Sequence, residues 1–479
     1  MPRRIRNFFL IAAAIRFALI FITDITPQEA YYWNFSRHLA IGYFDHPPIT
    51  AWTIWFFTKI FGTNILGIRF GAYLYGLGAL WFLWLIAKKL WDEKVAFYVL
   101  LAAFVVPLFT TSGLIFTPDP PLVFFWLAFI YTFILALENG RLTFWALSGI
   151  LSGLAMLSKY TAAFLCLGAF ILMLTRKEWR KYFATPKPYI AVLLSIIAFS
   201  PEIIWNMNHG WASFLYQSAR RAHELRHLDL GYFFGYLGAQ LFAVSPIFYY
   251  GVWRESIKSI PGKSLIKRVI LAFTVPMLFF FTAVALFYWV KLNWIIPAYF
   301  IPVAAFVANS VIKGKKLHIT GTIIAGIITF IVFLAMILPF IPLSGELAST
   351  FGWEELAQRV EHDMLGMPEE TFIFGAEYKV PSELAYHLSG RPETVGGHVI
   401  GKPGLQYEFW CDPETLIGKN AIFVLDPRWG VSRRDAEKLI KKYFERVQRM
   451  EPLRVYRGKT RVTVFQIYRC FNYKGPEKE

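Results

Sequence analysis

Charged and polar residues interrupt an otherwise apolar chain at a few places where chemistry is feasible. The stretch "QEAYYWNFSRHLAIGYFDHPP" supplies Glu29, Asp45 and His46, and "FTPDPPLVFFW" supplies Asp119. Each of these side chains would be costly inside lipid, so its presence suggests a function. A carboxylate held at such a place can act as a general base. We therefore take Glu29, Asp45 and Asp119 as candidate catalytic residues.

Cations and hydrogen-bond donors follow in three later segments, "LSKYTA", "NHGWASFLYQSARRAHELRH" and "YWVKLNWIIPAY". Groups of this kind can stabilise an anionic leaving group. With His46, the candidates for holding such a group are Lys159, Tyr160, Arg220, Arg221, Lys291 and Asn293.

Each candidate also has a purely structural explanation. Glu29 would cap the short helix "EAYYWNFSRHLA", and Asp119 would cap the apolar helix that follows it. Asp45, which precedes His-Pro-Pro, would stabilise a rigid turn, and Lys159 and Lys291 would extend from the ends of spans towards water. None of these signals is specific alone, but acids in two early loops combined with cations in later ones form a more specific pattern.

Metal and nucleotide sites have little support in the sequence. Asp45 followed by His46 would suit a zinc ion, but two ligands are too few to predict a divalent metal. The chain contains no G-x-G-x-x-G and no Walker A sequence, so nothing supports nucleotide binding. A phosphoethanolamine-type transferase would need a metal cluster in a large soluble domain, and residues 346–479 contain no cluster at metal-ligand spacing.

The composition indicates a membrane protein. The 479 residues are 56% hydrophobic and 17% charged, whereas a soluble chain would be about one quarter charged. The formal charge of +17 raises the question of nucleic-acid binding. Because Lys and Arg lie mostly between apolar runs, as membrane topology signals do, we expect no nucleic-acid partner.

About eleven apolar runs of helix length lie between Phe8 and Ile341, and we expect 11–13 spans. The first is an uncleaved signal anchor interrupted by Arg16, and Ile49–Phe61 is short enough to be an interfacial helix. Alternate loops hold about twenty Lys and Arg residues on one side and about eight on the other, which predicts that the first side is cytoplasmic. The candidate residues and the C-terminal region then lie on the outer side.

Residues 346–479 have no spanning run and predict a small α/β domain. "TFIFGA", "NAIFVLD" and "RVTVFQIY" are typical of strands, and "GWEELAQRVEHDML", "SELAYHLSG" and "RRDAEKLIKKYFERV" of helices. Cys411 and Cys470 would pair only in an oxidising compartment, and two cysteines are no disulfide framework. We therefore divide the chain into a membrane domain, 1–342, and an α/β domain, 343–479.

A family resemblance rests on several of these motifs together. "QEAYYWNFSRHLAIGYFDHPPITAW", "TPDPPLVFFW", "GLAMLSKYTA", "PEIIWNMNHGWASFLYQ" and "KLNWIIPAY" resemble the polyprenyl-phosphate-sugar-dependent glycosyltransferases of the GT-C class. The branch is that of the bacterial proteins related to protein O-mannosyltransferases, lipid A aminoarabinose transferase and lipopolysaccharide galacturonosyltransferases. The resemblance covers most of the membrane domain, and the C-terminal region looks like the extracytoplasmic α/β domain of the same branch.

The resemblance implies an inverting transfer at the outer face of the bacterial inner membrane. The donor is a sugar on a polyprenyl phosphate, and a carboxylate of the first outer loop deprotonates the acceptor hydroxyl. The implied acceptor is lipid A or another lipopolysaccharide or glycolipid of the cell envelope. Protein O-glycosylation is the alternative. The sugar and the oligomeric state stay open.

The match to the family is imperfect at the first loop. The family usually opens this loop with Asp-Glu, whereas this chain has Gln28 and Glu29, and a Gln cannot be a base. Asp45 matches a second acid of the loop, so the resemblance does not decide between Glu29 and Asp45. Asp119 matches the acid of the second outer loop, and Lys159 matches a lysine near the donor phosphate.

Two other classes of protein deserve comparison. A transporter of lipid-linked sugars would show internal repeats and charges at mid-span, but this sequence has no repeat and its charges gather on one side. A scaffold that binds partners through its C-terminal domain would not explain why acids and cations concentrate on the outer side of the membrane domain.

Overall fold

The structure is a computed structural model that describes residues 1–220, 227–260, 262–343, 345–429 and 433–476. The chain forms two compact units. One contains Met1–Ile20 and Ala40–Val332, and the other contains Phe21–Leu39 and Phe333–Glu479. Half of the first loop is thus part of the second unit. The functional division at residue 342 stays a prediction.

The first unit is helical. Its longer helices and the final apolar helix are Arg3–Leu19, Ile49–Phe61, Ile65–Leu90, Glu93–Val105, Asp119–Asn139, Leu142–Ser158, Ala163–Leu174, Lys187–Asn208, Leu230–Val244, Pro246–Ser259, Leu265–Phe273, Val275–Val284, Ile296–Ile312 and Leu317–Ile337. Its short turns of helix are Pro107–Thr111, Tyr160–Ala162, Lys177–Arg180, Lys181–Ala184, Ala212–Leu215, Tyr216–Arg220 and Leu292–Ile295.

The protein is a multi-span membrane protein. Among the described residues, six helical segments are long and apolar enough to cross a membrane, or up to eight if each of two bent pairs is one span. Fewer helices pass this test than the 11–13 expected spans, because several apolar helices are short or broken. For example, one of the apolar runs counted as a span, Tyr232–Val252, is divided between the helices Leu230–Val244 and Pro246–Ser259. The chain bends by 109° between them, where Pro246 cannot donate a helical hydrogen bond.

Two glycines bring a pair of these helices into very close contact. Gly149 and Gly153 lie one turn apart on Leu142–Ser158 and face the helix Lys187–Asn208. A Cβ atom added at Gly153 would lie 2.4 Å from the backbone oxygen of Ser195, so only glycine permits this approach. Small residues at this spacing let membrane helices pack closely. The packing fixes the C-terminal end of Leu142–Ser158 against its neighbour.

The second unit contains a five-stranded sheet. Its strands are β1 (Thr371–Gly375), β2 (Asn420–Leu425), β3 (Phe444–Arg449), β4 (Leu453–Arg457) and β5 (Thr460–Tyr473). The order is β1-β2-β5-β3, and β4 also pairs with β5. β1 and β2 are parallel, whereas β5 is antiparallel to β2, β3 and β4.

Helices cover both faces of this sheet. Side chains alternate along each strand, so that Ile422 and Val424 pack with Trp353–Met364 and Lys379–His387 on one face. Ala421 and Phe423 pack with Arg433–Tyr443 on the other face. The remaining helical segments are Pro27–Arg37, Gly345–Ala348, Gly397–Ile400, Leu405–Phe409, Pro413–Leu416 and Pro427–Trp429.

The α/β character of this unit confirms the predicted fold class, but one detail differs. The pattern "RRDAEKLIKKYFERV" predicts one helix, whereas the helix ends at Tyr443 and β3 begins at Phe444. The sequence leaves the pairing of Cys411 with Cys470 open, and both are free thiols in the structure. Cys470 lies opposite Ala421 and Val447 inside the sheet, which makes it a buried apolar residue.

Candidate active site

Asp119 is the first residue of a buried apolar helix. Pro118 is the N-cap, so Asp119 is not the capping residue that its sequence position suggests. Its carboxylate instead accepts hydrogen bonds from Lys159 Nζ at 2.6 Å and Asn293 Nδ2 at 2.6 Å. A third bond, of 3.2 Å, comes from the Thr117 hydroxyl. The segments that carry Lys159 and Asn293, which are distant in sequence, therefore meet at the carboxylate of Asp119.

Lys159 lies just after the helix Leu142–Ser158 and is buried with Asp119; their side chains are 8% and 3% exposed. Both charges are removed from water, and each compensates the other. Loss of either side chain would leave an uncompensated buried charge, which destabilises the fold. The ammonium group is compensated in this structure. An incoming anion would share it with Asp119 rather than find an isolated cation.

Tyr160, the next residue, belongs to a second polar group built around Glu202. The Tyr160 hydroxyl lies 2.5 Å from Glu202 Oε1 and 2.5 Å from Ser213 Oγ, and Asn206 Nδ2 donates to Glu202 Oε1 at 3.0 Å. Glu202 is fully buried. It was not among the sequence candidates, although an acid inside the apolar run "AFSPEIIW" is itself a signal of function.

Asp45 and His46 follow the aromatic segment Gly42–Phe44 of the same unit. Asp45 is buried and His46 half-buried, and Gln217 Nε2 donates to the backbone oxygen of Asp45 at 2.8 Å. Among the described residues no group of three or more His, Cys, Asp or Glu side chains could hold a metal ion. Two donors do not complete a site, so we derive no step through a metal.

Glu29 belongs to the second unit, on the helix Pro27–Arg37. It forms a capping box with Thr26, whose backbone N–H donates to Glu29 Oε2 at 2.9 Å while Glu29 N–H donates to the Thr26 hydroxyl at 3.2 Å. The structural role predicted for Glu29 is therefore confirmed. Its catalytic role stays a prediction.

A buried acid–imidazole pair lies near Glu29 in this unit. Glu383 Oε2 is 3.2 Å from His387 Nε2, which is 3.5 Å from Asp24 Oδ2. Burial raises the pKa of Glu383 to about 7; His387 opposes this shift, and the charges of Asp24 and Glu29 add to it. Burial lowers the pKa of His387, but the hydrogen bond and charge of Glu383, together with the charges of Asp24 and Glu354, outweigh it, and the net pKa is raised.

The other candidate cations are less well defined. Lys291 is exposed, two residues before Asn293. Arg220 ends a π-helical turn, and only its backbone is described. Arg221 lies outside the described residues. The structure thus brings Asp119, Lys159 and Asn293 into contact, whereas the arginine pair stays a prediction.

Sequence comparisons find related enzymes. Residues 45–205 match the family model described as dolichyl-phosphate-mannose-protein mannosyltransferase. The chain is 25% identical over 334 residues to a lipid A galacturonosyltransferase of Rhizobium johnstonii, covering 66% of this chain and 67% of the relative. It is 27% identical over 172 residues to an undecaprenyl phosphate-α-4-amino-4-deoxy-L-arabinose arabinosyl transferase of Pseudomonas fluorescens, covering 34% and 31% of the two chains.

Solved structures share the fold over nearly the whole chain. ArnT from Cupriavidus metallidurans has a TM-score of 0.64 at 13% identity, with 97% of both chains covered. The archaeal oligosaccharyltransferase AglB from Archaeoglobus fulgidus has a TM-score of 0.52 at 12% identity, with 91% of this chain and 72% of AglB covered. The chain therefore has the fold of GT-C glycosyltransferases, and its sequence is similar to that of galacturonosyl- and arabinosyltransferases.

Proposed function

We propose that this protein is an inverting transferase that moves a sugar from a polyprenyl-phosphate carrier to an envelope acceptor. The acceptor is lipid A or another lipopolysaccharide or glycolipid. The observation that carries the proposal is the buried contact of Lys159 and Asn293 with Asp119 in the helical unit. The similarity to a lipid A galacturonosyltransferase over two thirds of both chains supports the choice of acceptor.

The chemistry requires one base and a stabilised leaving group. A carboxylate, Asp45 or Glu29, takes the proton of an acceptor hydroxyl. The hydroxyl oxygen then bonds to the anomeric carbon from the face opposite the phosphate, while the bond from that carbon to the phosphate oxygen breaks. The polyprenyl phosphate leaves with the electron pair.

Cations and donors would hold this leaving phosphate. We assign binding of the leaving phosphate to Lys159 and Asn293, which lie beside Asp119. Five further groups would contribute to this binding: His46, Tyr160, Arg220, Arg221 and Lys291. Charge-assisted hydrogen bonds to phosphate are stronger than neutral ones. Among these groups Arg220, Arg221 and Lys291 would also suit the carboxylate of a uronic acid as the donor sugar.

The location follows from the distribution of basic loops. With the Lys- and Arg-rich loops in the cytoplasm, the N-terminus is cytoplasmic, and the active site and C-terminal domain face the periplasm of the bacterial inner membrane. ArnT from Cupriavidus metallidurans has been solved with undecaprenyl phosphate bound, which supports a carrier lipid of this type as donor.

A protein acceptor is the second candidate function. It is favoured by the match of residues 45–205 to a family of protein mannosyltransferases. The two acceptors would leave different products, one in the lipid fraction and one on secreted or membrane proteins.

Mass spectrometry of the cell envelope tests the proposal. Lipid A, lipopolysaccharide and glycolipids are compared with and without the gene, and again after complementation with wild type or with the Asp119→Asn variant. We expect one sugar to be lost without the gene and restored only by wild type. Unchanged lipids together with a lost protein glycan would support the protein acceptor instead.

A further inference from the structure

We infer that Glu202 is a positioning residue of the transferase, which fixes Tyr160 and the Gly42–Asp45 segment around the carrier phosphate. This inference rests on the proposed function. Glu202 lies within residues 45–205, which match the family model. It contacts Tyr160, a predicted site residue of the helical unit.

The first contact joins Glu202 to Tyr160. Gly149 and Gly153 hold the helix Leu142–Ser158 against Lys187–Asn208, so the residues just after the first helix reach Glu202 on the second. The Tyr160 hydroxyl then lies 2.5 Å from Glu202 Oε1. Tyr160 immediately follows Lys159, so its position also limits where the lysine can lie.

The second contact joins Glu202 to the loop that carries Asp45. A Cβ atom added at Gly42 would lie 2.6 Å from Glu202 Oε2 and 2.5 Å from Trp205 Cβ, so only glycine lets the loop approach so closely. Burial and then the Glu202 charge raise the pKa of Tyr43, against the opposing effect of a hydrogen bond involving Ala40. Glu202 is therefore a bridge between the two halves of the predicted site.

The chemistry around Glu202 favours an acid over an amide. Tyr160 and Asn206 Nδ2 both point donors at Oε1, and the backbone N–H of Tyr43 approaches the same carboxylate. A carboxylate oxygen accepts at every such position. A glutamine could keep an oxygen for Tyr160 and Asn206, but its NH₂ group would then lie on the side of Gly42 and face the backbone N–H of Tyr43. An aspartate would be too short to reach Tyr160.

Binding of undecaprenyl phosphate to the purified full-length protein tests this role without turnover. We expect Glu202→Gln to bind the lipid about tenfold more weakly, equal to about 1.4 kcal/mol, and Tyr160→Phe to lose a similar amount. Because Glu202 acts partly through Tyr160, the loss in the double variant should be smaller than the sum of the two single losses. In the transfer assay, KM for the donor should rise more than kcat falls.

Glu138→Gln is the matched control, because this carboxylate pairs with Lys89 near the helix end at Asn139 and has no assigned role in the site. It should bind and turn over as wild type does. Wild-type binding by Glu202→Gln, or additive losses in the double variant, would overturn the inference alone. A wild-type protein that binds no carrier lipid would overturn the proposed function and the inference together.

Discussion

The ammonium nitrogen of Lys159 lies 2.6 Å from a carboxylate oxygen of Asp119, and both side chains are almost completely buried. Asn293 Nδ2 contacts the other carboxylate oxygen at 2.6 Å. The pair serves two purposes in our account. It compensates two charges inside the helical unit, and it keeps a cation where a leaving phosphate can use it.

Removing one partner of this pair should destabilise the protein and stop transfer. Asp119→Asn or Lys159→Met leaves a buried charge without its counter-ion, a loss of about 3–5 kcal/mol. The double variant Asp119→Asn, Lys159→Met carries no such charge, so its thermal stability in detergent should return towards wild type. Its transfer activity should stay absent. A double variant as unstable as the single ones would contradict the ion-pair explanation.

The glycine contact between Leu142–Ser158 and Lys187–Asn208 should tolerate no side chain. Gly153→Ala would place a methyl group 2.4 Å from the Ser195 backbone oxygen and separate the helices, lowering both the melting temperature and carrier-lipid binding. Gly238→Ala is the control, because nothing lies within 4 Å of its added Cβ. That change should be neutral or stabilise the helix by up to about 1 kcal/mol. Equal effects of the two changes would exclude close packing as the reason for Gly153.

Glu383 should make the stability of the protein depend on pH. Its pKa rises from 4.5 to about 7 on folding, so between these values the folded protein holds a proton that the unfolded chain has lost. Stability therefore falls as pH rises from 4.5 to about 7, by on the order of 3 kcal/mol, and then levels. The raised pKa of His387 acts in the same direction: its contribution is complete below 6.5 and is lost as pH rises through the folded value.

Thermal unfolding from pH 4.5 to 8.5 measures this dependence. Glu383→Gln should flatten the curve and be more stable than wild type above pH 7. Glu355→Gln, an exposed position of the same unit, should keep the wild-type curve. If Glu383→Gln kept the full pH dependence, the buried carboxyl would not be its source.

Local patterns predicted much of the fold. The helix Ile49–Phe61 has the bounds that its apolar run suggests, and β1 and β2 lie where short apolar runs predict strands. The change from helix to strand after Tyr443 could not be predicted, because "KKYFERV" suits both structures and pairing with β5 decides between them. The break at Ser245 likewise depends on one proline inside a continuous apolar run.

The site was predictable only in part. The charges of Asp119 and Lys159 mark them in any apolar sequence, but their contact joins residues 40 positions apart. The first loop makes a contact that is still more distant in sequence. Asn34 Nδ2 donates to the Tyr407 hydroxyl at 2.7 Å, across 373 positions. No local pattern indicates that the helix Pro27–Arg37 packs with the C-terminal sheet unit.

The two candidates for the general base lie in different units of the structure. Asp45 belongs to the helical unit, whereas Glu29 belongs to the second unit and caps its own helix. Glu29→Gln keeps an oxygen that can accept the capping bond from Thr26, so it tests proton transfer with little loss of structure. We expect Asp45→Asn to lower kcat by at least about 100-fold, in line with general-base catalysis, and Glu29→Gln to lower it less.

Reconstituted sugar transfer tests the central claim most directly. The purified protein in liposomes receives polyprenyl-phosphate-linked uronate, pentose or hexose together with lipid A, and the lipids are analysed by mass spectrometry. We predict that wild type adds one sugar of inverted anomeric configuration to lipid A, and that Asp119→Asn adds none. Absence of a glycosylated lipid product with all three donors, or equal product from Asp119→Asn, would contradict the account.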